Sequence, residues 1–277
     1  MDRDIEQPIE NRQRAAEPQR EDARRVHERV QEGRHRSYLL SPDERDTMYD
    51  LGRFRTVTSK NLAELRYKGN ASQMQADLRS LQAQGLIERK EVWTGRDREV
   101  DTFFTLTKPG KKLLKALRVG PTDQAIYTGF VKERELRHDA AIYPMFHREL
   151  AKIEQEGGKL RRVILDFELK KKVYSPLAKA KALSPAEYTR RQDEIAREHG
   201  LKVINGHITL PDLRIEYRDR HGVAVQIDLE VATGNYHGSH AAAKASAGFR
   251  IYAAGETAGR LSRALEEREI TAEIFSL

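Results

Sequence analysis

Three acidic residues could meet on one face of a β-hairpin in the second half of the chain; they are Asp212, Asp228 and Glu230. Apolar and polar residues alternate with the two-residue period of strands across 213–217 and 223–231, and the polar segment 218–222 predicts a turn between them. Carboxylates that lie directly opposite each other repel unless something neutralises them. The pattern therefore indicates a hard divalent cation, a basic side chain or a protonated acid at this face.

The register of this hairpin decides which two acids face each other. In one register Asp212 lies opposite Asp228, and in a register shifted by two residues it lies opposite Glu230. Both registers keep the apolar side chains of the two strands on one face and the three carboxylates on the other. The alternation predicts the shared face and leaves both pairings open.

This hairpin and the helix predicted after it resemble the PD-(D/E)XK nucleases. In that family the Asp and the second acid hold magnesium, and the Lys activates or steadies the attacking water. One mapping takes Asp212, Asp228 and Glu230 as the pattern D…D-x-E, with Glu230 at the usual place of the Lys. The other takes Asp212 and Glu230 as the acids, which leaves Ala232 at the Lys position and makes Lys244 a candidate migrated lysine.

The order of several short motifs resembles the bacterial replication-relaxation family over roughly Tyr38 to Tyr252. The motifs are a winged-helix start, His138-Asp139 at the opening of a helix, and then PD…LEVATG…K…Y. That family is linked to plasmids and other mobile elements, so the resemblance implies a DNA-binding protein of such an element. At Ala232 the chain departs from the Asp that is usual there. His138 is a candidate general base or ligand, or else a hydrogen-bonding anchor of its helix.

Composition limits the chemistry that the chain can carry. The 277 residues include 50 Lys and Arg against 43 Asp and Glu, a net charge of +7, which points weakly to an anionic partner. The absence of cysteine excludes disulfides, thiol catalysis and cysteine-based zinc sites. No apolar run approaches the roughly 20 residues that cross a bilayer, so we expect a cytoplasmic protein without a membrane partner.

The elements that would bring DNA to the acids lie upstream. The sequence of 38–119 predicts three helices, then a hairpin, then a fourth helix. This order is typical of a winged helix-turn-helix, whose third helix enters the major groove. Gln suits adenine edges, and Arg suits guanine edges or phosphates. A winged helix used for dimerisation or protein contact is the alternative. The candidate DNA-binding residues are Gln73, Gln75, Arg79 and Gln82 on the third helix, and Arg96 and Arg98 in the wing.

The predicted fold class is α/β, of the α+β type, in three parts. Residues 1–37 form a charged arm that we expect to be disordered, 38–119 a winged helix-turn-helix, and 120–277 a PD-(D/E)XK-like mixed-sheet domain. Within the last part, the pattern predicts a helix over Arg134–Gln155, a strand over Leu160–Leu169 and a helix over 241–252.

Two functional hypotheses follow. In the first, the chain binds double-stranded DNA and is a metal-dependent endodeoxyribonuclease or nickase acting in replication or mobilisation. In the second, it is a non-enzymatic transcriptional or replication regulator whose degenerate nuclease fold mediates homodimerisation or partner binding. For the first, the predicted catalytic residues are Asp212, Glu230, Lys244 and His138, and the predicted magnesium ligands are Asp212, Asp228 and Glu230.

Overall fold

The structure, a computed structural model, describes residues 27–32, 36–94, 99–234 and 236–277. It opens with an antiparallel pair, β1 (Glu28–Glu32) and β2 (Arg36–Leu40). The end of the predicted arm is therefore a strand pair, so regular structure begins before Tyr38. The first 26 residues of that arm lie outside the described residues.

A winged helix-turn-helix order follows this strand pair. Its short sheet has the strand order β3-β5-β4, with antiparallel pairing throughout. The elements are α1 (Pro42–Phe54), β3 (Val57–Thr58), α2 (Ser59–Asn61) continued by a π-helical turn (Leu62–Arg66), α3 (Ala71–Ala83), β4 (Ile87–Thr94), β5 (Glu99–Leu106) and α4 (Lys108–Ala116).

Helix starts in this part follow from local side-chain chemistry. The Ser41 hydroxyl accepts a hydrogen bond from the Glu44 amide at 3.2 Å, and the Glu44 carboxylate accepts one from the Ser41 amide at 2.7 Å. This reciprocal capping box satisfies two amides that would otherwise be orphaned at the start of α1. Asn70 caps α3 by accepting from the Gln73 amide at 3.1 Å.

The second half is built around a five-stranded mixed sheet with the order β12-β11-β10-β9-β6. Strands β6, β9 and β10 pair antiparallel, whereas β10, β11 and β12 pair parallel. The elements are α5 (Glu133–Gln155), β6 (Lys159–Leu165), α6 (Asp166–Ala180), α7 (Pro185–Glu198), β7 (Lys202–Ile204), β8 (His207–Thr209), β9 (Leu213–Arg218), β10 (Ala224–Ala232), α8 (Gly238–Ala247), β11 (Arg250–Ala253), α9 (Gly255–Glu266) and β12 (Ile274–Ser276). The α+β fold class is thus confirmed.

Two predicted elements differ from the structure. The strand predicted over Leu160–Leu169 ends at Leu165, and α6 begins at Asp166, because acids in the first turn suit the positive end of a helix. This helix buries one stripe at four-residue spacing, made of Leu169, Val173 and Leu177. The helix predicted over 241–252 ends at the left-handed cap Gly248, and strand β11 follows it.

The two halves share one hydrophobic core. The Phe54 ring on α1 packs against the Tyr143 and Phe146 rings on α5, with centroids 5.1 and 4.8 Å apart. The Tyr143 hydroxyl also donates a 2.9 Å hydrogen bond to the Asp50 carboxylate of α1. Helix α5 therefore anchors the winged-helix part to the mixed sheet. Within the described ranges, no helix combines the length and apolar character needed to span a membrane.

Candidate functional site

Strands β9 and β10 adopt the register that sets Asp212 against Glu230. Tyr217 pairs with Val225, and Leu213 pairs with Leu229. The Asp212 amide donates to the Leu229 carbonyl at 3.1 Å, which carries the pairing one residue past the end of β9. Continuing this register places the two carboxylates opposite each other, at the end of the hairpin farthest from its turn.

Asp212 is held by its strand neighbour and by helix α5. Its Oδ2 accepts a 2.9 Å hydrogen bond from the Val231 amide and lies 3.3 Å from His138 Nε2. Burial by itself would raise the pKa of this carboxyl, but the hydrogen bond and positive charge of His138 outweigh it and leave the pKa lowered. Asp212 is therefore ionised at neutral pH.

Glu230 is more deeply buried, with only 4% of its surface exposed. Its Oε1 accepts a 2.8 Å hydrogen bond from the Tyr236 hydroxyl, and its Oε2 accepts one of 2.7 Å from Lys244 Nζ. Burial, followed by the negative charge of Asp212, raises the pKa of Glu230 to about 7 despite the opposing ammonium. The shift marks the electrostatic cost of holding two carboxylates together in a buried place.

Lys244 reaches this pair from the second turn of α8. Its ammonium donates to Glu230 Oε2 at 2.7 Å and to the Leu210 carbonyl at 2.6 Å. Ala241 and Ala247 on the same helix are buried. Their small side chains allow α8 to pack closely, which suits the reach of a lysine to the strand end.

His138 stands on the other side of Asp212, at the start of α5. Its Nδ1 lies 3.6 Å from Asp139 Oδ1 and its Nε2 3.3 Å from Asp212 Oδ2. Hydrogen bonds to these two carboxylates raise the pKa of His138 to about 10. The imidazole is therefore protonated at neutral pH, a state that neither accepts a proton nor ligates a metal. In this arrangement the imidazole lies between two carboxylates and balances the charge of Asp212, and its role as a general base or ligand stays a prediction.

Asp228 is not brought to the site. Its two carboxylate oxygens accept hydrogen bonds of 2.6 and 2.8 Å from Nε and Nη2 of Arg214, its cross-strand partner. Arg214 is 4% exposed and also donates to the carbonyls of His199 and Gly200. Freeing Asp228 to bind a metal would leave a buried guanidinium unpaired, which is strongly unfavourable. The geometry argues against the predicted metal ligand Asp228 and favours the mapping that uses Asp212 and Glu230 alone.

Three further side chains complete the surroundings of the pair, and they are Asp166, Lys170 and Tyr236. The Asp166 amide donates to the Asp212 carbonyl at 3.2 Å, and Lys170 forms an ion pair with the Asp166 carboxylate. The strand pattern over Leu160–Leu169 includes Asp166, so the sequence does not predict its position at the start of a helix. Tyr236 follows Glu230 in a loop, and no periodic signal singles it out.

A magnesium ion suits the donors at this site. Asp212 and Glu230 supply hard carboxylate oxygens. Burial first, and then the negative charge of Asp212, raise the pKa of Glu230, and a cation between the two carboxylates would offset the second of these causes. No cluster of three or more ionisable metal-ligating side chains occurs among the residues that the structure describes. Two carboxylates fit magnesium nonetheless, because this ion commonly keeps several waters and takes substrate phosphates as its remaining ligands.

The candidate DNA-contacting residues on α3 are placed unequally. Gln75 and Arg79 are exposed, on the face opposite the buried stripe of this helix. Gln82 is partly exposed. The side-chain amide of Gln73 donates a 2.5 Å hydrogen bond from Nε2 to the Asp43 carboxylate of α1. Gln73 would have to leave this partner to meet a base. Arg96 and Arg98 in the predicted wing lie outside the described residues.

Comparison with known proteins adds little to this geometry. No protein-family model matches the chain, and no curated protein matches it either. Among solved structures, one similar chain is in the crystal structure of Bacillus subtilis PadR in complex with operator DNA, at 17% identity and a TM-score of 0.24. The match covers 57% of this chain and 93% of that chain. So low a TM-score does not establish a shared fold, and membership of the replication-relaxation family stays a prediction.

Proposed function

We propose that the chain binds double-stranded DNA through its winged helix and hydrolyses DNA phosphodiester bonds at the Asp212–Glu230 site with a divalent cation. The observation that carries the proposal is the pairing of these two carboxylates at one strand end, with Lys244 bonded to Glu230 at 2.7 Å. Acids on adjacent strands and a lysine within reach are the groups that metal-assisted phosphodiester hydrolysis requires.

Each residue has a definite part in this chemistry. Asp212 and Glu230 would hold Mg²⁺, which when bound supplies charge neutralisation and an activated water. Lys244 keeps a positive charge beside the place where negative charge develops on the phosphate. His138, protonated and 3.3 Å from Asp212, keeps that carboxylate ionised and oriented.

The hydrolysis itself consumes one water molecule per bond. The water oxygen forms a bond to phosphorus, and one bridging P–O bond breaks. The leaving alkoxide gains a proton, and the water loses one. The products are a phosphate monoester on one side of the cut and an alcohol on the other.

Binding of DNA by the winged helix is supported by exposed side chains and by charge. Gln75 and Arg79 project from α3, the helix that such modules insert into the major groove. The excess of seven positive charges over the chain favours a polyanionic partner. A role in a plasmid or another mobile element derives from the family resemblance alone and stays a prediction, as does homodimerisation.

A second candidate function is a non-enzymatic DNA-binding regulator. One observation favours it: His138 and Lys244 already balance the charges of Asp212 and Glu230 without a metal ion. Ala232 at the usual place of the catalytic lysine points the same way. Under this hypothesis the four side chains form a structural ion-pair cluster, and the chain binds DNA without cutting it.

Incubation with supercoiled plasmid separates the two functions. We expect nicked or linear product with Mg²⁺ or Mn²⁺, none with EDTA, and none from Asp212→Asn under any condition. Glu267→Gln, an exposed carboxylate just after α9, is the matched control and should cut like the wild type. Intact plasmid with both metals, together with a salt-sensitive mobility shift, would favour the regulator.

A further inference from the structure

A cleft of about 450 Å³ opens beside the candidate active site. Asp212 and Lys244 belong to its lining, so the cleft reaches one carboxylate of the pair and the lysine that is bonded to the other. Its other walls come from α6, from the β7–β8 hairpin and from the first turns of α8. Two of these walls, α6 and the hairpin, belong to the segment 166–210 that is inserted between β6 and β9.

Helix α6 presents a polar and aromatic face to this cleft. Asp166, Lys170 and Tyr174 line it at four-residue spacing, which places them on one side of the helix. The helix starts beside Asp212, because the Asp166 amide donates to the Asp212 carbonyl at 3.2 Å. Tyr174 lies eight residues after Asp166, which corresponds to about 12 Å along the helix axis. The series therefore leads away from the candidate active site along one wall.

Two side chains on this face are half-exposed, although Lys170 is also paired with Asp166. Tyr174 is a large aromatic residue that is 52% exposed, and the Lys170 side chain is 48% exposed. His207 and His240 add exposed imidazoles to the same cleft. An exposed aromatic ring with a lysine one turn away on the same helix face is a combination that binds unpaired nucleotides, by base stacking and by attraction of the backbone.

The wall that carries Tyr174 has a hydrophobic core of its own. This core fixes α6 against α7 and the hairpin, so the face of α6 is held in place without a ligand. Its buried members are Ile164, Leu169, Val173, Leu177, Ile195, Ala196, Leu201, Ile208 and Leu210.

The size of the cleft selects the form of the nucleic acid. A volume of about 450 Å³ lies within the range of pockets for small molecules and suits one or two nucleotides. A pocket of this size, which suits small molecules, does not enclose a double helix. A single strand could follow α6 from Asp212 past Lys170 to Tyr174.

We propose that this cleft binds an unpaired DNA strand next to the bond to be cut, with Lys170 on a phosphate and Tyr174 stacked on a base. The inference rests on the proposed function and adds its substrate class, which is DNA that carries a single-stranded segment beside the scissile bond. The winged helix would hold neighbouring duplex, while the inserted segment holds the strand that has left it.

Fluorescence anisotropy with labelled oligonucleotides tests this inference on the full chain. A single strand of about 15 nucleotides and a blunt duplex of the same sequence are titrated in EDTA, so that no cleavage takes place. We expect Tyr174→Ala to weaken single-strand binding about tenfold, and Tyr174→Phe, which keeps the ring, to stay within about twofold of the wild type. Duplex binding should be the same for all three proteins.

Two matched controls complete the design. Lys170→Ala should weaken single-strand binding, whereas Lys171→Ala removes the same charge from the next residue of α6, outside the cleft, and should weaken it less. Leu183→Ala removes an exposed apolar side chain elsewhere in the inserted segment and should have no effect. Because Tyr174 and Lys170 are exposed, the variants should keep the melting temperature of the wild type.

Three results would overturn the inference. The first is that the wild-type protein does not bind the single strand. The second is that Tyr174→Ala binds the single strand as tightly as the wild type does. The third is that Tyr174→Ala loses single-strand and duplex binding equally. None of these depends on cutting, so the plasmid assay can fail while the cleft still binds a strand. Conversely, plasmid cleavage with an unaffected Tyr174→Ala would leave the nuclease proposal standing and remove the cleft from it.

Discussion

At the scale of single residues, the site is defined by how four buried or half-buried charges compensate one another. Asp212 is stabilised as an anion by His138, while Glu230 keeps its proton up to about pH 7 because burial and Asp212 disfavour its charge. A pair of carboxylates whose environments push their pKa values apart is characteristic of functional sites. Carboxylates on an ordinary exposed surface are solvated and lack this pair of opposite pKa shifts.

This difference predicts that cation binding releases a proton from Glu230. A metal must displace the proton, so most of one proton should be released per Mn²⁺ near pH 6 and little near pH 8, since the pKa of Glu230 is raised to about 7. Calorimetric titration in two buffers with different ionisation enthalpies counts these protons. Equal proton release at both pH values would show that Glu230 is not the titrating ligand.

At the scale of elements, strand alternation predicted more of the site than helix signals did. The period of two residues over 213–217 and 223–231 set Asp212 and Glu230 on one face, and the observed register is one of the two that the sequence left open. The alternation does not predict that Arg214, on the same face, is buried against Asp228. The burial depends on the turn between α7 and β7, whose His199 and Gly200 carbonyls accept hydrogen bonds from Arg214.

The inserted segment 166–210 was the least predictable element. LRRVILDFEL alternates well enough for a strand, yet the chain turns into α6 at Asp166 because the apolar stripe from Leu169 to Leu177 has a helical period. That stripe overlaps the strand pattern by only a few residues. The cleft residues Lys170 and Tyr174 share one face only because the chain is helical here, so a strand pattern does not predict that they line one wall together.

The buried ion pair between strands β9 and β10 predicts that Asp228 stabilises the hairpin and does not bind metal. Asp228→Asn leaves the buried Arg214 without a carboxylate and should lower the free energy of unfolding by about 3 kcal/mol. Urea denaturation measures this loss, with Glu267→Gln as the control. Mn²⁺ affinity of the folded variant should stay within about twofold of the wild type, and a large loss of affinity would return Asp228 to the metal site.

At the scale of the whole molecule, α5 belongs to both halves of the chain. Its first turns carry His138 at the candidate active site, and its middle carries Tyr143 and Phe146 against α1 of the winged helix. The sequence predicted α5 almost to its ends, but not that its two faces serve different partners. Such a shared helix would fix the distance between bound duplex and the carboxylate pair.

The shared core predicts that the two halves unfold together. Differential scanning calorimetry should show one transition whose calorimetric and van't Hoff enthalpies agree. Tyr143→Phe removes the 2.9 Å hydrogen bond to the Asp50 carboxylate and should lower the stability of that single transition by about 2 kcal/mol. Two separate transitions, with only one of them moved by the substitution, would mean that the halves are independent.

Mn²⁺ titration of the full chain tests most directly whether Asp212 and Glu230 together form a divalent-cation site. We predict one Mn²⁺ per wild-type chain at pH 7.5 and at least about tenfold weaker binding by Asp212→Asn, which loses a direct ligand. Glu267→Gln should bind like the wild type. No binding by the wild type, or binding that Asp212→Asn leaves unchanged, would contradict the claim and leave a structural ion-pair cluster in its place.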